Sequence, residues 1–194
     1  MAHLGILQLA APGRPLRDKI EQRARSLAGD PARLAREVGL ALGRARATVT
    51  NAVGLVDGPL DDRTAAERRD QCVSLEAGRA LTPVAHDDGV VVYTVLATGP
   101  RPPFAAVSPG DVQALERTLQ ALAATADGTL SAFVVHVAPA DGEALDPSTL
   151  AATHPHLAAI APGKASGWTR CRFCDAPMEA YRTSCPACGG AVAS

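Results

Sequence analysis

Aromatic residues are scarce in this chain of 194 residues. Only three phenylalanines, two tyrosines and one tryptophan occur, whereas alanine occupies 39 positions. A core made mostly of Ala, Val and Leu buries less apolar surface per residue than one with large rings, at about 25 cal/mol per Å². The composition therefore predicts a core that buries little apolar surface and that an additional crosslink would help to stabilise.

Lysine is also rare, with two lysines against 17 arginines. Together with the excess of alanine, this bias is typical of a GC-rich genome rather than of a charge adaptation. Apolar residues make up 47% of the chain, charged residues 20%, and the net charge is −1. These values exclude a disordered, collagen-like or coiled-coil chain and indicate one globular body with a small appendage.

No apolar run approaches the ~20 residues that a membrane-spanning helix requires. The opening residues 1–11 lack a basic region before their apolar stretch, so they do not resemble a secretory signal. Four of the five cysteines fall within 18 residues near the C-terminus, a spacing that suits metal binding in a reducing compartment better than disulfides. We therefore expect a cytoplasmic protein without a membrane partner.

Established catalytic motifs are missing from the sequence. It contains no phosphate-binding Walker loop and none of the patterns GxGxxG, GxSxG or HExxH. Cys72 is interpreted as a small buried hydrophobe and His136 as a core histidine. His154 and His156 flank a proline, and with no third metal partner nearby they are interpreted as part of a loop.

Charge is distributed unevenly along the chain. Residues 1–60 carry nine basic and five acidic groups, residues 61–160 carry six and thirteen, and residues 161–194 carry four and two, giving about +4, −7 and +2. Either the basic ends fold back on the acidic middle, or a basic surface is kept for an acidic partner.

The first 56 residues are predicted to be helical. Pro15 suits the first turn of one helix and Gly29 its end, and Asp30 and Pro31 suit the cap and first turn of a second helix that reaches about Gly54. The apolar stripes at helical spacing comprise Leu16, Ile20, Ala24 and Leu27 in the first helix and Leu34, Val38, Leu42, Ala45, Val49 and Val53 in the second.

Two sets of residues in the second helix each allow two structural interpretations. Gly39 and Gly43 either weaken this helix or mark a close helix crossing. Arg33, Arg36 and Arg44 lie on a neighbouring face, which is a solvated surface or a basic contact surface. A third helix is expected over 61–80, although the segment 72–75 could instead begin a strand.

The middle of the chain predicts a small mixed sheet. Strands over 81–85 and 90–97 are joined by a turn with Asp88-Gly89 and form a hairpin. Ser108 then caps a helix with a buried stripe of Val112, Leu115, Leu119 and Leu122, and an interior strand follows over 130–138. Residues 90–138 would thus be a βαβ unit with a right-handed crossover, and Asp146 begins one more short helix. The fold class is therefore α+β or α/β.

Proline, glycine and small polar residues over 161–167 indicate a linker. It separates a body over 1–160 from a C-terminal segment over 168–194.

Two cysteine pairs carry the most specific chemistry in the sequence. Cys171 and Cys174 form one CxxC pair, Cys185 and Cys188 form another, and ten residues separate the pairs. Two such turns can complete a tetrahedral shell of four thiolates around one zinc ion. This shell leaves no open position for water or substrate, so the metal is expected to be structural, and its binding supplies the folding free energy of a segment this short.

The paired CxxC turns, the second continuing as Cys185-Pro-Ala-Cys188-Gly, resemble the zinc ribbons. The resemblance covers residues 168–190 and implies a metal and a local fold but no activity; Asp175 stands where many ribbons have glycine. The ending is also similar to the rubredoxin-like ending of rubrerythrins, which holds iron and transfers electrons. We favour zinc over iron because the chain has no Glu-x-x-His pairs for the di-iron bundle of rubrerythrins.

Half of the aromatic residues lie within this C-terminal segment, interleaved with arginines. The set comprises Trp168, Arg170, Arg172, Phe173, Tyr181 and Arg182. Rings beside arginines can stack on nucleic-acid bases and pair with phosphates, or dock on a protein. They can equally shield the metal of a very small domain.

The sequence therefore favours a non-enzymatic zinc-binding adaptor. Its ribbon, and its basic N-terminal helices, would contact a protein assembly or a nucleic acid. The alternative is an enzyme with a site at the strand ends near 98–101 and 138–141, where open α/β sheets bind ligands. Residues 107–137 resemble the opening of TPM-type domains, some of which are phosphatases.

Overall fold

The computed structural model describes residues 1–12, 14–81, 83–84, 89–108, 110–139 and 143–157, together with two short strands near the C-terminus. The protein is a mixed α+β structure. In chain order its elements are β1 (Ala2–Pro12), α1 (Arg14–Ser26), α2 (Pro31–Ala45), β2 (Asn51–Leu60), α3 (Asp62–Ala77), β3 (Pro83–Val84), β4 (Val90–Gly99), α4 (Val112–Ala123), β5 (Ala132–Ala138), β6 (Ala144–Leu145), α5 (Leu150–Thr153), β7 (Trp168–Arg170) and β8 (Pro177–Glu179).

One antiparallel sheet organises the body. Its strand order is β2-β1-β4-β6-β3, and β5 also pairs with β4. Strand β4 is buried along its whole length, because β1 lies on one side of it and β5 and β6 on the other. Residues that lie opposite one another in paired strands point to the same side of the sheet.

The main core lies on one side of the sheet, which we call the α2 face. There Leu7 and Leu9 of β1 and Tyr93 and Val95 of β4 are fully buried. Apolar stripes of α1, α2 and α4 pack against them and complete one hydrophobic cluster. The three helices that cover this face are those for which the sequence predicts an apolar stripe.

The opposite side, which we call the α3 face, carries Ile6, Gln8, Thr94 and His136. Helix α3 lies over β1, β4 and β5 on this side. A smaller apolar cluster occupies one end of the face and consists of Ala10, Val90, Val92, Leu145, Leu150 and Leu157. Between this cluster and Ile6, the centre of the face carries the polar residues Gln8, Thr94 and His136.

Aspartate caps begin three of the helices. The Asp30 carboxylate accepts a hydrogen bond from the Arg33 amide, with Pro31 in the first turn as the sequence predicts, and Asp61 caps α3 in the same way. Helix α4 is capped by Asp111, whose carboxylate accepts from the Ala114 amide at 2.8 Å. The prediction of Ser108 as its cap is wrong, because the helix begins at Val112.

A close helix crossing occurs at Gly39. A Cβ atom there would lie 2.6 Å from the backbone nitrogen of Ala123 and 2.8 Å from Cβ of Leu122, so only glycine lets α2 approach α4 this closely. Gly43 has open space around it and marks no crossing.

The predicted extension of α2 to Gly54 is wrong. The helix ends at Ala45, a short 3₁₀ turn covers Arg46–Thr48, and β2 begins at Asn51. The N-terminal segment is also not wholly helical, because β1 precedes the two helices. Both strands pair with each other, so the hydrogen bonds of the sheet override the helical spacing of Val49 and Val53.

The βαβ unit predicted over residues 90–138 is also wrong. The strand, helix and strand exist, but β4 and β5 pair antiparallel, so there is no parallel crossover and the sheet is not mixed within the described residues. The predicted hairpin fails as well, since β3 pairs with β6 rather than with β4. Strand β5 is not interior either: in the described part of the chain it pairs only with β4.

Several N-terminal arginines reach the acidic middle of the chain. Arg36 donates to the Thr125 carbonyl at 2.8 Å and to Asp127 at 2.7 Å, and Arg46 pairs with Glu116. These contacts agree with the interpretation that basic and acidic segments fold together.

Arg17 is 1% exposed and ties α1 to the chain after β5. Its guanidinium donates to the Pro139 and Glu143 carbonyls at 2.7 and 2.6 Å and to Glu21 at 2.8 Å.

No helix among the described residues is long and apolar enough to cross a membrane.

Candidate functional site

A row of polar side chains crosses the α3 face. Gln8 of β1 lies opposite Thr94 of β4, and Thr94 lies opposite His136 of β5. The Gln8 amide nitrogen donates to the Thr94 hydroxyl at 3.1 Å. Each residue lies within a mostly apolar stretch of its strand. The register of the sheet thus collects three departures from apolar patterning at one place.

Helix α3 brings a carboxylate and a thiol to this face. Glu76 is only 6% exposed, although it belongs to a largely polar helix, and Cys72 lies one turn before it. The Asp61 cap fixes the start of the helix. Residues four apart in a helix, such as 72 and 76, point to the same side of it.

Glu76 is held between two basic side chains. One of its oxygens accepts a hydrogen bond from Arg79 Nη2 at 2.5 Å, and the other lies 3.4 Å from Nε2 of the buried His154. Burial alone would raise the pKa of Glu76, but the approach of His154 and the Arg79 hydrogen bond outweigh it and lower this pKa to about 2. The carboxylate is therefore charged at neutral pH.

Arg79 and His154 also join α3 to the segment around α5. Arg79 Nη1 donates to the Thr153 carbonyl, and His154 Nδ1 lies 3.1 Å from the Thr153 hydroxyl. The segment 150–157 is thus attached to α3 through one buried carboxylate. The loop interpretation of His154 and His156 is confirmed, because both follow the end of α5. His154 is in addition a buried partner of Glu76, whereas His156 is exposed.

A cavity of about 690 Å³ lies between α3 and the sheet. Gln8 and Thr94 form part of its floor, and Cys72, Glu76 and Arg79 line it from α3. Its volume is within the range of small-molecule pockets.

Two titratable groups near Glu76, the Cys72 thiol and the His136 imidazole, are shifted toward their neutral forms. Burial, with a smaller effect of Glu76, raises the pKa of the Cys72 thiol, so this thiol is a poor nucleophile at neutral pH. Burial also lowers the pKa of His136, against an opposing effect of the nearby Glu76 carboxylate, so His136 is predominantly neutral. Both side chains are half-buried, so the interpretation of Cys72 as a buried hydrophobe and of His136 as a core histidine holds only in part.

Metal ligands cannot be assembled from the described part of the chain, since no group there combines three or more His, Cys, Asp or Glu side chains suitably for an ion. The predicted ligands Cys171, Cys174, Cys185 and Cys188 lie outside the described residues, as do Arg172, Phe173, Tyr181 and Arg182.

Trp168 and Arg170 belong to β7, which pairs antiparallel with β8.

The two strand ends at which the sequence predicts an enzyme site do not lie together. Because β4 and β5 are antiparallel, Thr98 pairs with Ala132 at one end of the sheet and Val92 pairs with Ala138 at the other. Thr98 and Ala138 therefore lie at opposite ends of these strands, and residues 140 and 141 lie outside the described residues.

Comparisons of the chain with protein-family models, with curated proteins and with solved structures found no match.

Gln8, Glu76 and His154 were not singled out as site residues by the sequence. The usable signal was a polar residue within a mostly apolar stretch of each of three strands, which becomes meaningful only when the register aligns those strands.

Proposed function

We propose that the chain is a zinc-binding adaptor, in which the α+β body carries a C-terminal ribbon that contacts a partner in the cytoplasm. The observation that carries this proposal is the spacing of Cys171, Cys174, Cys185 and Cys188 in two CxxC pairs. Four thiolates satisfy the preferred coordination of zinc and close its shell, which makes the metal structural.

The partner surface consists of the rings and arginines of the ribbon. Trp168, Phe173 and Tyr181 provide apolar contact area, and Arg170, Arg172 and Arg182 provide positive charge. Aromatic and arginine side chains dominate the binding energy of protein interfaces, so a protein assembly is the preferred partner. A nucleic acid is the second candidate, because the same residues can stack on bases and contact phosphates.

The N-terminal helices make a smaller contribution to this partner surface. Arg17 is buried and Arg36 and Arg46 pair with backbone or acidic groups of the body, whereas Arg33 and Arg44 remain exposed on α2. Part of the positive charge of residues 1–60 is therefore used within the fold.

Metal content provides the first test. The full chain purified under reducing conditions should contain one zinc per chain by elemental analysis, and a visible absorption band would indicate iron instead. Cys171→Ser should lose the metal. Cys72→Ser is the matched control, since Cys72 lies in α3 and should leave the zinc content unchanged. Equal metal content in all three proteins would contradict the proposal.

Capture from a lysate of the native host tests the adaptor function. Proteins retained by the full chain should be lost with Cys171→Ser, while far-ultraviolet circular dichroism shows that the body stays folded. A nucleic-acid partner would be released steeply between about 50 and 200 mM salt. Unchanged capture by Cys171→Ser would show that the ribbon is not the contact surface.

A further inference from the structure

We propose that the cavity between α3 and the sheet is a binding site for an uncharged, planar small molecule that presents an N–H donor beside a C=O acceptor. Primary amides, lactams and nucleobase edges have this chemistry. The site is separate from the C-terminal ribbon and does not depend on its metal.

The first observation is the position of the polar row. Gln8 and Thr94 stand opposite one another in two neighbouring strands, where binary patterning calls for apolar residues, and both line the cavity; His136 lies beside Thr94 but outside the lining. Departures from patterning that converge on one cavity are typical of functional sites. A purely structural sheet would gain more from apolar residues here, as it does on the α2 face.

The second observation is the unused capacity of Gln8. Its side chain makes one hydrogen bond in the described structure, to the Thr94 hydroxyl, and it lines the cavity. A glutamine amide has two N–H donors and an acceptor oxygen. The remaining N–H and the C=O stand side by side on one planar group, so they are complementary to a ligand with the same pair of groups reversed.

Charge determines that the ligand is neutral. Glu76 and Arg79 are the charged side chains that line the cavity in the described structure, and they neutralise each other at 2.5 Å. A charged ligand would lose its hydration here without gaining a counter-ion. A neutral ligand that replaces its water contacts with those of Gln8 has no such cost.

The rim of the cavity supplies the contact area. Leu55 and Leu75 line it and are 48% and 69% exposed, and they are two of the four large apolar side chains that are exposed in the described structure. With Ile6 and Val53 they surround the polar floor with apolar surface. A flat ring fits this arrangement, since its faces contact the leucines while its polar edge reaches Gln8.

Three probes with the same phenyl ring test the chemistry on the full, metal-loaded chain. Benzamide is neutral with adjacent N–H and C=O groups, benzoate is an anion and benzylamine is a cation. In ligand-observed NMR titrations, benzamide should bind with a Kd of about 1–10 mM, as expected for so small a ligand. Benzoate and benzylamine should each bind at least about tenfold more weakly.

Variants locate the site. Gln8→Met removes the amide at nearly constant volume and should weaken benzamide binding at least about fivefold. The matched control is Gln120→Met, on the exposed side of α4 and outside this cavity, which should bind like the wild type. Thr94→Val offers a second variant if Gln8→Met does not fold, because it removes the hydroxyl that orients the amide. Absence of benzamide binding at 20 mM, equal binding of the three probes, or unchanged binding in both cavity variants would each overturn the proposal.

Discussion

The two faces of the sheet are built on different principles. On the α2 face, Leu7, Leu9 and Val95 are fully buried under three helices, two of which, α2 and α4, approach closely at Gly39. On the α3 face, Gln8 and Thr94 lie under a single helix beside a cavity, and a buried carboxylate holds the helix in place. We infer that the α2 face supplies most of the stability and that the α3 face is free to serve binding.

The largest expected effect is on the α2 face. Leu9→Ala should lower the free energy of unfolding by about 2–5 kcal/mol, because it leaves a cavity in a core with few large side chains. Urea denaturation followed by circular dichroism measures this change. Leu55→Ala on the exposed rim of the α3 face is the control and should change stability by about 0.5 kcal/mol or less. Similar losses in both variants would remove the distinction between the faces.

The helix crossing gives the next largest effect. Gly39→Ala should destabilise the protein by about 1–3 kcal/mol, since the new methyl group would meet the backbone of Ala123. Gly43→Ala on the same helix has open space and should stabilise the protein by up to about 1 kcal/mol through helix propensity. Opposite signs in thermal melting are expected, and equal signs would contradict the close crossing.

On the α3 face, Glu76→Gln should cost about 1–3 kcal/mol, because Arg79 and the buried His154 lose a charged partner. The pKa of Glu76 is lower in the folded protein than its ordinary value of 4.5. Its contribution to stability is therefore present above about pH 4.5 and is lost as the pH falls toward 2. Acid titrations of unfolding should show a smaller loss in this range for Glu76→Gln than for the wild type.

Replacement of His136 should have a smaller effect on stability, which depends on pH. Burial lowers its pKa below the ordinary 6.5, so the folded protein resists the proton that the unfolded chain accepts. Stability from the neutral ring is present above pH 6.5 and decreases below it, by at most about 1.4 kcal/mol per pH unit. His136→Gln should reduce this slope between pH 6.5 and 5. An unchanged slope would show that His136 is not buried among the groups described.

The helices were the most predictable part of the fold. Asp30 with Pro31, and the spacing of Leu115, Leu119 and Leu122, indicate local hydrogen bonding and one apolar side, which are properties of a short segment. Strand β2 was less predictable because Val53 continues the helical stripe of α2, and only pairing with β1 makes it a strand.

Topology was the least predictable feature. A strand, a helix and a second strand over 90–138 fit a parallel unit as well as an antiparallel one. The sheet is completed by β1, which lies between β2 and β4 and comes from the other end of the sequence. The candidate cavity depends on the same long-range pairing. Gln8 and His136 share no pattern in the sequence, and they become neighbours of Thr94 only through the register.

The position of β1 has a consequence for how the chain is made. Gln8 leaves the ribosome 86 residues before its partner Thr94, which at about 5–20 residues per second corresponds to some 4–17 s. During this interval β2 is the one neighbour of β1 that is synthesised, and the other edge of β1 stays open to aggregation or to a chaperone. Gln8 therefore has a role before folding is complete as well as after it. It interrupts the apolar surface of β1 that the nascent chain exposes until β4 is made.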